Sequence, residues 1–186
     1  MTVPNEREAA RVREMAELGR PGFAVGFLAS SFAGLMALVV GQPLSWALVS
    51  VLALGLPLGL LGAVYSVLIA YGKVRLGTFA PVCLFWLIGF PLSRLLQEGL
   101  THLVLTGELG GPPDVLGFLA YQGILSAGFA FGFLWLHERL APRWWYKMSD
   151  HNPAALRVYE RYASHARVMW EAREARKRRR EASKSR

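Results

Sequence analysis

The chain has 186 residues, 53% of them hydrophobic and only 18% charged, with a formal net charge of +8. That length suits one domain, and a soluble domain of this size would need more charge to cover its surface. Residues 22 to 72 contain no Asp, Glu, Lys or Arg, which excludes a water-facing surface for that stretch and fits a bilayer core, where a helical crossing takes about 20 apolar residues.

In chain order, residues 5 to 18 read as a short amphipathic helix in a cytoplasmic arm spanning 1–21. Asn5 is its expected cap, with Glu8 three positions on, and Gly19 and Pro21 its expected end. A polar start followed by a long apolar run predicts an anchor that stays rather than a cleaved signal. A transmembrane domain is expected over 22–141, and its first crossing covers Gly22 to Gly41. Gly22, Gly26, Ser30 and Gly34 recur every four positions there, a ladder that lets another helix backbone come close.

The turn Gly41-Gln42-Pro43 allows only an antiparallel return. The second crossing runs over 45–71, with Pro57 as an expected kink and Gly55, Gly59, Gly62 and Ser66 as a second small-residue seam. At 1.5 Å per residue it spans about 40 Å, more than the roughly 30 Å hydrocarbon layer, so tilt is expected. The third element, 77–106, is irregular. Phe79 to Ser93 is apolar between Pro81 and Pro91, and 92–106 is amphipathic. Two geometries fit: one long kinked helix, or a shorter span followed by a helix lying in the outer interface. The loop Gly107 to Asp114 is polar and rich in Gly and Pro. The fourth crossing occupies 115–138, with Gln122 its one strongly polar member and Gly128 and Gly132 a further small pair. Trp144, Trp145 and Tyr146 follow as an expected interfacial anchor.

The tail, 142–186, carries a helix starting at Asn152 and Pro153, a capping side chain before a proline at the first helical position. Ala155, Tyr159, Tyr162, Ala166 and Met169 recur on it at helical spacing. Asn152 to Arg161 resembles a late segment of the GNAT acetyltransferases, but the sheet and acyl-CoA loop of that family have no room here. A capped amphipathic helix produces the same pattern.

Basic residues test the helix count, because Lys and Arg near helix ends stay in the cytoplasm. The N-terminal arm, the loop with Lys73 and Arg75, and the stretch from Arg139 to the end of the tail together hold all 21 Lys and Arg except Arg94. Both termini are therefore expected in the cytoplasm. Arg outnumbers Lys 17 to 4, and Ala, Gly and Leu are abundant. This composition points to a bacterial inner membrane.

Arg94, Gln97, Glu98, Thr101 and His102 form the polar cluster of the third element. Arg94 with Glu98, and Glu98 with His102, are spaced to touch on one helix. The favoured expectation is an interfacial helix whose charges reach the outer headgroups. The functional alternative is a pathway or binding site, since an Arg at a bilayer centre costs about 2.5–3.5 kcal/mol on insertion scales. The run Arg176, Lys177, Arg178, Arg179 and Arg180 suits anionic headgroups, at about 1 kcal/mol per basic residue; a solvated end is the bland alternative. Nucleic acid is not an expected partner, because membrane topology accounts for most of the positive charge and no recognition motif accompanies it.

No cofactor is expected. His102 and His137 fall at different depths, no metal-ligand spacing is present within the membrane, and Cys83 reads as a small buried hydrophobe. No nucleophile motif or phosphate loop occurs. The sequence thus predicts an all-α, integral membrane four-helix bundle with amphipathic cytoplasmic helices at both ends. Its expected role is that of a non-catalytic accessory, assembly or scaffold protein. Tyr159, Tyr162, Met169 and Trp170 are its expected contacts to a protein partner. Packing within the bundle is the main expectation for the small-residue seams of the first, second and fourth crossings, and homo-oligomerisation the lesser one. The alternatives are a small transporter or channel using the cluster on the third element and, behind it, a lipid enzyme with Glu98 and His102 as acid and base.

Overall fold

The computed structural model of the chain describes residues 6–184, without the side chain of Lys184. The expected Asn5 cap lies outside the described residues. Five helices follow one another: α1 (Glu6–Val39), α2 (Leu44–Ala70), α3 (Phe79–Thr106), α4 (Val115–Met148) and α5 (Pro153–Lys184). The first four are long and apolar enough to cross a membrane. The α1–α2 and α3–α4 connections lie at one end of the bundle, here the far end. The α2–α3 loop and α5 lie at the other, the tail end.

The tightest pairing is between α1 and α2. A Cβ on Gly22 would overlap the Gly62 carbonyl, one on Gly62 would overlap the Gly22 carbonyl, and one on Gly26 would overlap that of Leu58. The small-residue ladders are thus places where backbone lies on backbone, giving close dispersion contact and polar C–H contacts. The pair turns at Gly41, whose φ of +81° suits glycine. The glycines of α4 behave differently. Gly128 and Gly132 have no neighbouring atom within 4 Å of where a Cβ would stand, so the expectation that this seam packs within the bundle is corrected.

Two helix boundaries, those of α1 and α4, differ from the sequence reading because packing outweighs a local breaker, and α3 takes one of its two expected forms. Helix α1 does not stop at Gly19 or Pro21 but runs on to Val39. Proline at position 21 removes one helical donor, yet Gly19 rests on Ala63 and Pro21 is buried. Close by, the Trp145 indole donates to the Leu18 carbonyl at 3.1 Å. Helix α3 takes the first of the two expected geometries, one continuous helix through Pro91, with the Ser93 hydroxyl donating back to the Gly89 carbonyl at 2.8 Å. Helix α4 continues through Pro142 to Met148. Trp145 is therefore no interfacial anchor: it is fully buried, while Trp144 and Tyr146 remain exposed.

An aromatic column fills the space between α2, α3 and α4. Trp86 meets Phe129 and Phe133 with ring centroids 4.6 and 4.8 Å apart, and Tyr65 meets Phe85 and Phe133 at 5.4 Å. Such edge-on pairs contribute about 0.5–1.5 kcal/mol each beyond their buried area.

The glycine contacts predict opposite outcomes at two sites. Gly22→Ala forces the α1–α2 backbones apart and costs about 1–3 kcal/mol, as overpacking does. Gly132→Ala meets open space and leaves stability unchanged or slightly raised through helix propensity. Thermal unfolding of the two variants in one detergent checks the contrast.

Candidate functional site

Helix α3 carries its polar residues inward. Ser93, Gln97 and Thr101, one turn apart, are buried, whereas Leu92, Leu96 and Leu100 on the other side are 48, 54 and 42% exposed. A water-soluble helix would do the reverse. The five-residue cluster divides. Arg94 donates to the Gln97 side-chain carbonyl. Glu98 is exposed, and His102 turns to the α3–α4 loop, its Nδ1 within 2.9 Å of the Thr106 hydroxyl and 3.1 Å of the Glu108 carbonyl. Neither Arg94–Glu98 nor Glu98–His102 is an ion pair. Among the described residues, the only ion pairs are those of Glu17 with Arg13 and His151.

Toward the far end the four helices diverge around a cleft of about 580 Å³. Its walls are apolar, with Phe32 from α1, Leu54 from α2, Phe90 from α3 and Phe129 from α4. Gln42, Trp46, Ser50, Arg94, Gln97, Tyr121 and Gln122 bring its polar atoms. Gln122 is 4% exposed, and its Oε1 has no hydrogen-bond partner among the described residues. An unmatched buried polar atom costs about 1–3 kcal/mol. Glu98 and His102 do not line the cleft. Sequence reasoning left Ser50 and Gln122 out of any site, although a lone Gln in a charge-free crossing was a readable signal.

A second polar centre lies deeper toward the tail end. His137 is fully buried, and its Nε2 is 2.7 Å from the Ser66 hydroxyl. Phe133, Tyr65 and Trp145 surround the imidazole with ring centroids 5.5, 5.7 and 5.8 Å away. His137 Nδ1 is unpartnered among the described residues. No group of three or more His, Cys, Asp or Glu able to hold a metal ion occurs there.

The tail helix is fastened by side chains that reach across the chain. Asn152 caps α5, its Oδ1 accepting from Ala154 and Ala155 at 3.1 and 3.0 Å. Its Nδ2 lies 3.3 Å from the Glu14 carbonyl and 3.1 Å from Glu17 Oε2. This Asn152 hydrogen bond is the main reason the Glu17 carboxyl is held below its ordinary value; His151 and Arg13 act in the same sense, against the opposing effect of burial. Arg161 donates to the Ile69 and Ala70 carbonyls at 2.9 and 2.5 Å. It thereby caps the C-terminus of α2, where a cation is favoured. Tyr162 donates to Glu138 Oε1 at 2.9 Å. Burial, and then Glu138 beside it, push this phenol up, so it stays a donor.

The four expected docking residues therefore separate. Tyr159 packs on Tyr146 at 5.0 Å between ring centroids, and Tyr162 packs on Trp145 at 5.6 Å. Both are engaged with the chain itself. Met169 and Trp170 are 48 and 64% exposed, and residues 176–180 are exposed as well.

Asn152→Ala removes the α5 cap and the link to α1. It is expected to cost about 1–2 kcal/mol, read as earlier unfolding and faster hydrogen exchange over 153–162. The same junction depends on pH. A carboxyl whose value is lowered on folding stabilises the folded form fully above its unfolded value, ordinarily 4.5, and that contribution fades as pH falls through the lowered value. Exchange in 153–162 should thus accelerate as pH drops below about 4.5, after correction for intrinsic rates, and less so in Glu17→Gln.

No family model matches the chain, and neither a curated protein nor a solved structure matches it.

Proposed function

We propose that this chain is a multi-pass protein of a bacterial inner membrane that acts as an accessory, assembly or scaffold subunit, with no catalysis of its own. Four helices long and apolar enough to cross a membrane support the membrane reading. The segregation of Lys and Arg supports cytoplasmic placement of the N-terminal arm, the α2–α3 loop and the tail. The role itself rests on one observation. After Tyr162, α5 continues to Lys184 with its surface almost entirely exposed. A helix that is polar on nearly every face gains little from packing on its own chain. Met169 and Trp170 are adjacent apolar side chains on this projection, flanked by a basic run that suits acidic surfaces. In this role α5 presents those two side chains to a cytoplasmic protein partner, and the junction at Asn152 and Arg161 sets the angle at which it leaves the bundle.

A photoreactive residue at position 170, activated in intact cells, should give a discrete protein adduct that Met169→Ala weakens. Labelling of lipid alone, or no adduct from position 170, would count against a docking role.

A further inference from the structure

The cleft holds a charge with no ion-pair contact among the described residues, although Glu98 stands close enough on the same helix to act on it. Among the described residues, Arg94 is the one charged side chain that lines it, its one hydrogen bond goes to Gln97, and it forms no ion pair. Gln122, almost fully buried, lines the same cleft, and its amide oxygen has no hydrogen-bond partner among the described residues. A guanidinium at this depth calls for an anion, because pairing offsets its cost in hydrocarbon. The cleft has one positive charge and otherwise neutral polar side chains, among them Gln42, Ser50, Gln97, Tyr121 and Gln122, which matches a head bearing one negative charge and hydroxyls. Gln122 can turn its amide to accept from such a hydroxyl or donate to a phosphate oxygen.

The cleft also has a continuation. A groove of about 410 Å³ between α1 and α4 shares Ala29, Phe32 and Phe129 with it and runs past Gly128 and Gly132 to Leu136. All its lining residues are apolar, and the two glycines leave space that nothing in the chain fills. From Gln122 to Leu136 the rise along α4 is about 21 Å, the reach of a long acyl chain. Gln122 stands about 10 Å in from the far end of α4, and the groove leads from there toward the middle of the bundle. That is the direction of a lipid in the leaflet on the far side.

We propose that cleft and groove together form a binding site for one phospholipid with a monoanionic head. Arg94 pairs with the phosphodiester, Ser50 and Gln122 bond the head, and one acyl chain lies over Gly128 and Gly132. This site depends on the membrane reading but not on docking of the tail, so either can fail alone.

The test uses the full chain, delipidated in a neutral detergent and offered phosphatidylglycerol, phosphatidylcholine or oleate, with bound lipid read by native mass spectrometry. Wild type should retain phosphatidylglycerol over phosphatidylcholine roughly tenfold or better, as one charge-assisted contact allows. Arg94→Gln should lose that preference. Gly132→Leu, which fills the groove without touching Arg94, should reduce retention even if Arg94→Gln does not fold. Arg176→Gln combined with Arg178→Gln and Arg180→Gln should leave the preference in place, because the tail is not the site. Equal retention of phosphatidylcholine, stronger retention of oleate, unchanged binding in folded Arg94→Gln or Gly132→Leu, or loss in the tail variant would each overturn the proposal.

Discussion

Gly22 and Gly62 bring the backbones of α1 and α2 into contact, and the shape of the bundle follows from that approach. Lipid provides no hydrophobic drive between helices, so close packing must hold a membrane bundle together. Where the glycines lie, α1 is pinned along α2, and Gly59 takes the Phe23 ring of α1 on the same seam. Helices α3 and α4 join through bulky rings instead, Trp86 against Phe129 and Phe133. A hairpin built on glycine and another built on aromatic rings do not close evenly. They meet near Trp145 and separate toward the far end, and the cleft is the space between.

Polar bonds between helices gather in the tail half, although His137 Nδ1 there has no partner among the described residues. In the tail half, Ser66 reaches His137, Trp145 reaches Leu18, and Arg161 reaches the end of α2. Each bond crosses between helices that already touch. In the far half, Gln122 finds no partner and Arg94 finds only Gln97 one turn away. Buried polar groups in native proteins are normally bonded, and exceptions draw a functional explanation. Arg94 and Gln122 both line the cleft, beside a channel of apolar surface. That coincidence separates the cleft from an ordinary packing gap, which would be lined by apolar atoms alone.

The tail shows how one helix serves two surroundings. Its first turns carry Ala154, Ala155 and Val158, all buried, and place Arg161 and Tyr162 against α2 and α4. Beyond them the side chains are long, charged and exposed. Asn152 joins the two ends of the chain in one residue, capping α5 while bonding α1. The exposed half of α5 therefore has a defined origin and direction.

Much of the fold was legible in residue order. Four charge-poor stretches announced four long helices, Asn152-Pro153 announced a fifth, and the glycine ladders of α1 and α2 announced a close pair. These signals are local, since they depend on hydropathy over one helix length or on spacing within a few turns. What the sequence could not decide were outcomes set by partners distant along the chain. Pro21 failed to break α1 because Trp145 and Ala63 support the turn around it. Trp145 became core rather than an interfacial anchor because α4 ran on past it. The glycines of α4 look like those of α1 on paper, yet they face open space, because α1 stands across a groove from them instead of packing on them. Arg94 and Gln97 share a cleft with Ser50 and Gln122 while Glu98 and His102 do not. Periodicity places a side chain on a face, but only the neighbouring helices determine what that face meets.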